Sequence, residues 1–239
     1  MDSGSRDRTL EIAAGFPVKI RHIARREFNY SRALNLAARQ ATGEFLVCLS
    51  AHCPPVGDGW LANLLRHFDD PSVAAVWGPN YEPGRDSIEG GAPIRQEPGA
   101  YSFSTRQFGL NNANSALRRS LWLEFPFDEE LPATEDKAWA LEAMRRGFCL
   151  VYDPAAAVWH AAHPAANQFR RNRAIMAGYA RLFPELGASE PHAAWILVRG
   201  VGRRMVLHAR QRDLGKLWLD LKKAPSTIAA VIGNHLGHR

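Results

Sequence analysis

The sequence has little of what marks several large classes of protein. Its 239 residues hold three cysteines, Cys48, Cys53 and Cys149, an odd number with no C-x-x-C pair, which points to a reduced, cytosolic setting. No uncharged apolar run reaches the roughly 18 residues of a membrane-spanning helix. The opening MDSGSRDRTLEIAAG lacks the apolar core of a secretory signal, so secretion is not expected. Internal repeats and low-complexity tracts are also missing. Acidic residues are the scarcer charge, 24 against 30 Lys and Arg, and the net charge of +6 favours an anionic partner: a nucleotide, a nucleic acid or an acidic membrane surface. The remaining composition is ordinary for a globular chain, 46% hydrophobic and 23% charged, enough for one large domain or one domain with an appendage.

The stretch GEFLVCLSAHCPPVGDGW, Gly43 to Trp60, organises the rest. Glu44–Leu49 reads as a buried strand, and Ser50, Ala51, His52 and Cys53 place small and polar side chains at its carboxyl end. Pro54 and Pro55 force a turn there. Ligands of open α/β sheets bind outside the carboxyl ends of strands, so His52 is a candidate ligand or catalytic group, or simply a histidine at a strand end. Helical spacing over Arg6–Ala14, a short strand over Pro17–Ile23 and a helix to Ala41 capped by Asn29 or Ser31 come before it. A helix over Gly59–Phe68 and a strand over Ser72–Trp77 follow. This alternation predicts an α/β fold with a mostly parallel sheet flanked by helices. Residues 78–110 are rich in Gly and Pro without a sustained period, which predicts a flexible flap. Ser115–Leu117 reads as a strand, Ser120–Phe125 as a helical turn and Glu135–Arg146 as a helix stopped by Gly147. Phe148–Tyr152 and Ala156–Trp159 read as strands. A boundary near residue 164 divides domain 1–164 from a basic helical region, 165–239.

Polar clusters sit where these elements end. Asp2-Ser3 is a turn or cap pair. Asn111–Asn114 is an Asn-rich turn, Glu135-Asp136 a pair suited to a helix dipole, and His160 with His163 a loop. Together they suit a single chemistry, in which His52 and His160 hold a divalent metal through neutral imidazoles, Asp136 acts as a general base, and Asn side chains orient a hydroxyl-rich ligand.

The order of these motifs resembles a family 2 glycosyltransferase of the GT-A fold, over roughly residues 2–163. DSGSRDRTLEIA resembles the turn where the family's Asp meets the nucleotide base. NYSRALNLAARQATGEFLVCLSAHCPP resembles the approach to the metal motif. NANSALRRSLW and FDEELPATEDKAWALEAMRRGFCLVYDPAAAVWH resemble the acceptor half. The resemblance implies a nucleotide-sugar donor contacted by Asp2, Ser3, Arg32, Asn35, Ser50 and Ala51. It implies an acceptor contacted by Asn112, Asn114 and Trp139, catalysis by Asp136 with Glu135, and Mn²⁺ or Mg²⁺ on His52 and His160. Ser50-Ala51-His52 stands where the family has Asp-x-Asp, as in Asp-x-His-Cys transferases and Ser-Ala-His-Cys capsule or O-antigen enzymes. The loss of one carboxylate predicts weaker hold on a hard cation.

The resemblance also implies that the family's first strand–helix–strand is missing, so the fold is expected to be N-terminally truncated. The implied function is inverting sugar transfer to a glycan or lipid-linked acceptor in cell-surface polysaccharide biosynthesis; the alternative is a catalytically silent remnant that binds a sugar nucleotide or a protein partner. The basic tail fits either peripheral contact with an anionic inner membrane, from the cytoplasm, or a solvated helical bundle. No nucleic-acid-binding motif is present.

Overall fold

The computed structural model describes residues 1–84, 90–99, 109–161, 165–183 and 206. Two compact units divide the chain, Met1–Leu131 with Glu135–Ala161, and Pro132–Thr134 with Ala162–Arg239. The first carries the sheet. Its elements in order are α1 (Thr9–Ala14), α2 (Tyr30–Gln40), β1 (Phe45–Leu49), α3 (Trp60–Leu65), β2 (Val73–Trp77), β3 (Asn80–Tyr81), β4 (Ile94–Gln96), β5 (Asn114–Arg118), α4 (Arg119–Glu124), α5 (Glu135–Arg145), β6 (Cys149–Tyr152) and β7 (Val158–Trp159). The second unit contributes α6 (Ala165–Leu182).

The five-stranded sheet has the order β1-β5-β2-β6-β4, and β3 pairs with β7 in a small second sheet. VAAVW of β2 is buried at all five positions, as suits a central strand covered on both faces. Side chains alternate across the sheet. Ala75, Leu117 and Leu150 point into a core with Trp122, Trp139 and Met144, beneath α2, α4 and α5. Val76, Ala116 and Val151 point the other way, into a core with Trp60, Leu64 and Phe68 of α3 and the turn after it.

The expected α/β architecture with helices flanking a sheet is present. The expectation of a mostly parallel sheet is corrected, because the strand directions are mixed. β5 runs antiparallel to both β1 and β2, β4 antiparallel to β6, and only β2–β6 is parallel within the five strands. The helical crossover from β1 to β2 leaves a gap one strand wide, and β5 returns through it in the opposite sense. The strand expected over Pro17–Ile23 is an extended segment with a single bridge, Asp2 to His22. Within the expected flap, β3 and β4 are too short to carry a period and are held by distant partners. Asn80 and Tyr81 pair with Val158 and Trp159, Ile94–Gln96 pair with Leu150–Tyr152, and Arg95 of β4 is bonded to Asp70. The rest of that flap, residues 85–89 and 100–108, and His163 lie outside the described residues, as does most of the basic tail. Among the described residues no helix is long and apolar enough to cross a membrane.

Caps fix the helix ends that matter. Asn29 accepts from Arg32 N–H at 3.2 Å at the start of α2. After α5, Gly147 adopts φ +89, and its N–H and that of Phe148 close on the carbonyls of Met144 and Ala143. Only glycine enters that conformation without strain. Gly78, just past β2, lies against the Ala156 carbonyl, so the two segments approach where any Cβ would collide.

Candidate active site

The carboxyl end of β1 is joined to the strand-end segments around it by the backbone. Ser50 N–H donates to Ala113 O at 3.1 Å, Val56 N–H to Ala157 O at 2.9 Å and Trp159 N–H to Pro54 O at 2.9 Å. The turn after β1 closes through Cys53 N–H to Ser50 O at 2.9 Å. These bonds bring residues more than 100 positions apart together: His52 Nε2 and His160 Nε2 stand 3.3 Å apart, with ring centroids 4.7 Å apart. Cys53 joins them, and one donor atom from each of the three residues falls within 4.8 Å of the others. His52 is exposed, His160 half-buried and Cys53 buried, and desolvation raises the Cys53 thiol pKa. Ser50 is half-buried and Ala51 exposed in the same turn.

The donor set fits a divalent ion that accepts imidazole nitrogen. It fits Mg²⁺ poorly, because that ion seeks oxygen ligands and no carboxylate among the described residues belongs to this cluster.

The second cluster starts α5. Asp136 Oδ1 accepts the Lys137 N–H at 2.8 Å, and Oδ2 accepts the Asn112 N–H at 3.4 Å and lies 3.5 Å from Lys137 Nζ. Lys137 Nζ also donates to the Leu110 carbonyl. Glu135 is 8% exposed. Its Oε1 accepts from Asn112 Nδ2 at 3.4 Å, while Asn112 Oδ1 accepts from Ser115 Oγ at 3.3 Å. Desolvation, then the neighbouring Asp136 carboxylate, pushes the Glu135 pKa up to about 7. One of two adjacent carboxyl groups is therefore partly protonated near neutral pH.

Other residues expected to touch ligands serve the fold instead. Asn114 has no exposed surface: its Oδ1 accepts from Trp60 Nε1 at 2.8 Å, and its Nδ2 donates to Ala156 O at 2.7 Å. Asn35, 2% exposed, accepts from Trp122 Nε1 and Phe127 N–H and donates to Phe127 O and Glu129. Trp139, 2% exposed, stacks on Phe125 in the core. Asn35 and Asn114 are thus buried with their side-chain bonds made within the fold, which corrects the expectation that they meet a ligand, whereas Trp139 is buried with an indole N–H that has no hydrogen-bond partner among the described residues. Asn112 is also buried, its N–H bonded to Asp136 and its side-chain amide to Glu135.

Arg32 is bonded to Glu129 at 3.1 Å and remains partly exposed. Asp2 is held by Ser5 Oγ at 2.5 Å, by the Gly4 and Ser5 N–H groups and by His22 Nδ1 at 3.3 Å. The Ser5 hydroxyl and the Gly4 amide, in that order, hold its carboxyl well below the usual range. Ser3 is half-buried beside it. Cys53, which the sequence motif names without a role, and Lys137, which it does not name, join these clusters in the structure. The available signal is adjacency, Cys53 to His52 and Lys137 to Asp136.

No curated protein matches this sequence. Among solved structures, one similar chain is the mannosyltransferase PcManGT from Pyrobaculum calidifontis in complex with GDP-Man and Mn²⁺. It is 19% identical with a TM-score of 0.59, over 98% of this chain and 75% of that one. Another is S. aureus TarS in complex with UDP-GlcNAc, 14% identical with a TM-score of 0.51, over 98% of this chain and 80% of that one. At such identities the likeness establishes the fold, which is that of GT-A glycosyltransferases. The family model for glycosyl transferase family 2 matches residues 1–123, half of the sequence, and the chain belongs to that family.

Proposed function

We propose that this chain moves a sugar from a nucleoside-diphosphate donor to a hydroxyl of a glycan or lipid-linked acceptor, with inversion, in assembly of a bacterial capsule or O-antigen type polysaccharide. The observation that carries the reading is the pairing, at one end of the sheet, of two imidazoles 3.3 Å apart with a carboxylate pair at a helix start. Asp136 takes the proton of the acceptor hydroxyl. The oxygen attacks the anomeric carbon in line as the bond to the nucleoside diphosphate breaks, and inversion follows. Asn112 holds Asp136 through its N–H and Glu135 through its amide, so both carboxyl groups keep their places. Partial protonation of Glu135 limits the negative charge beside the departing diphosphate.

Asp2 and Ser3 face the nucleotide base in this reading, with Arg32, Ser50 and Ala51 along the nucleotide. His52 and His160 would hold a divalent ion; of the two expected, Mn²⁺ suits imidazole better than Mg²⁺. When bound, such an ion supplies positive charge to the leaving diphosphate. Residues 1–164 form the catalytic domain. The basic region 165–239 gives peripheral contact with the anionic inner membrane from the cytoplasmic side, a role its charge supports.

The test is release of nucleoside diphosphate from a panel of nucleotide sugars in the presence of candidate acceptors. Asp136→Asn should reduce turnover about 10²–10⁴-fold and spare nucleotide binding. Full activity in that variant would remove Asp136 as the base.

A further inference from the structure

We propose that Cys53 is a third protein ligand at the His52–His160 site, which is therefore built for a thiophilic divalent ion of the Zn²⁺ kind rather than for Mn²⁺ or Mg²⁺. The inference rests on the reading of that site as a metal centre and changes its ion.

Three observations carry it. The donors are two imidazoles and one thiol, all within 4.8 Å of one another, and among the described residues no carboxylate joins them. Nitrogen and sulfur donors select borderline and soft ions, whereas Mg²⁺ requires oxygen. Next, two nitrogens each about 2.0–2.1 Å from a tetrahedral ion stand roughly 3.3–3.4 Å apart. The two Nε2 atoms are 3.3 Å apart, a spacing that also suits an imidazole–imidazole hydrogen bond. Lastly, the exposure is graded. Cys53 is 1% exposed and backs the cluster, while His52 reaches solvent. Three protein ligands with one open side make the pattern of a reactive metal site rather than a closed structural one. The open side would receive an oxygen of the diphosphate. The backbone favours persistence of the set, because Trp159 N–H to Pro54 O at 2.9 Å pins the segments that carry it. Cys48 and Cys149 lie outside the cluster, and burial pushes the Cys48 thiol up to about 12.

Binding Zn²⁺ more tightly than Mn²⁺ would prove nothing, since almost any nitrogen-containing site does so. The discriminating readout is sulfur. X-ray absorption at the zinc edge of the Zn²⁺-loaded full chain, without nucleotide, should show one sulfur at about 2.3 Å beside imidazole nitrogen. A shell of nitrogen and oxygen alone overturns the proposal. Titration of the metal-free chain with Co²⁺ should produce a thiolate-to-cobalt charge-transfer band. Cys53→Ser should lose that band, keep the weaker ligand-field bands through its two histidines, and lower the preference for Zn²⁺ over Mn²⁺ by about tenfold or more. A band that survives in Cys53→Ser also overturns the proposal. Should the variant fail to fold, the absorption measurement on the unaltered chain decides alone. The two readings fail separately: Zn²⁺ bound through sulfur without any nucleotide binding sinks the transferase reading, while nucleotide binding through a sulfur-free shell sinks this one.

Discussion

The first 28 residues and the sheet behind them are built differently. Among residues 1–28 only Ile23 is buried, and α1 buries nothing. Ile12, Phe16 and Val18 are 56%, 63% and 56% exposed. In β2, by contrast, every side chain is inside. Asp2 thus stands on a segment held by local hydrogen bonds and one bridge to His22, whereas His52, His160 and Asp136 stand on segments tied to a packed sheet. The part of the site expected to recognise a base rests on the least packed scaffold, and the part expected to do chemistry rests on the most packed. Regions with few buried apolar contacts open at low free energy, so stability and the proposed catalytic groups share one scaffold while the proposed base contact rests on another.

Substitutions should separate the two scaffolds by size of effect. Leu64→Ala, at a side chain with no exposure in the core that holds Phe68 and Val76, should cost about 2–5 kcal/mol in urea unfolding. A smaller loss would mean the core repacks around the hole. Asn114→Ala should cost about 1–3 kcal/mol, because the Trp60 indole N–H and the Ala156 carbonyl lose their partner. It should also lower turnover, since the β5 end that carries Asn112 loosens.

Glu135→Gln tests the buried carboxyl through pH. The raised pKa means that the protonated form is favoured in the folded state. Its contribution to stability is fully present below the ordinary carboxylate range and is lost as pH rises through about 7. Above that pH the Gln variant should be the more stable, by on the order of 2–3 kcal/mol, and the difference should vanish in acid. Thermal melts from acid to mildly basic pH measure this; parallel curves would contradict burial of the charge. Phe16→Ser should change stability by less than about 0.5 kcal/mol. A loss as large as that of Leu64→Ala would erase the contrast between the two regions.

The same contrast explains what the sequence disclosed. Elements with local signals were legible. The apolar run of β2 marked a strand, Asn29 a helix cap and Gly147 a helix stop, whereas β1, read as buried, is an edge strand that exposes Val47 and Leu49. The pairing of His52 with His160 was legible because both follow strands at polar strand ends, and the structure brings their Nε2 atoms to 3.3 Å. Long-range pairing was not legible. β4 is three residues whose partner lies more than 50 positions away, and β5 runs against its neighbours because it returns through a gap that no local pattern records. Asn35 and Asn114 misled for a related reason. The resemblance marked them as ligand contacts, but their side chains bond backbone groups of distant segments, Phe127 and Ala156. A buried amide that ties segments together has the same sequence signature as one that binds a sugar.

The most direct test of the central claim is calorimetric titration of the chain with UDP and with GDP, in the presence and absence of added divalent metal. The account predicts binding of one of them that metal strengthens and that His52→Ala and His160→Ala each weaken to its metal-free level, with the fold intact by circular dichroism. Binding that ignores both histidines, or a folded chain that binds neither nucleotide, would contradict it.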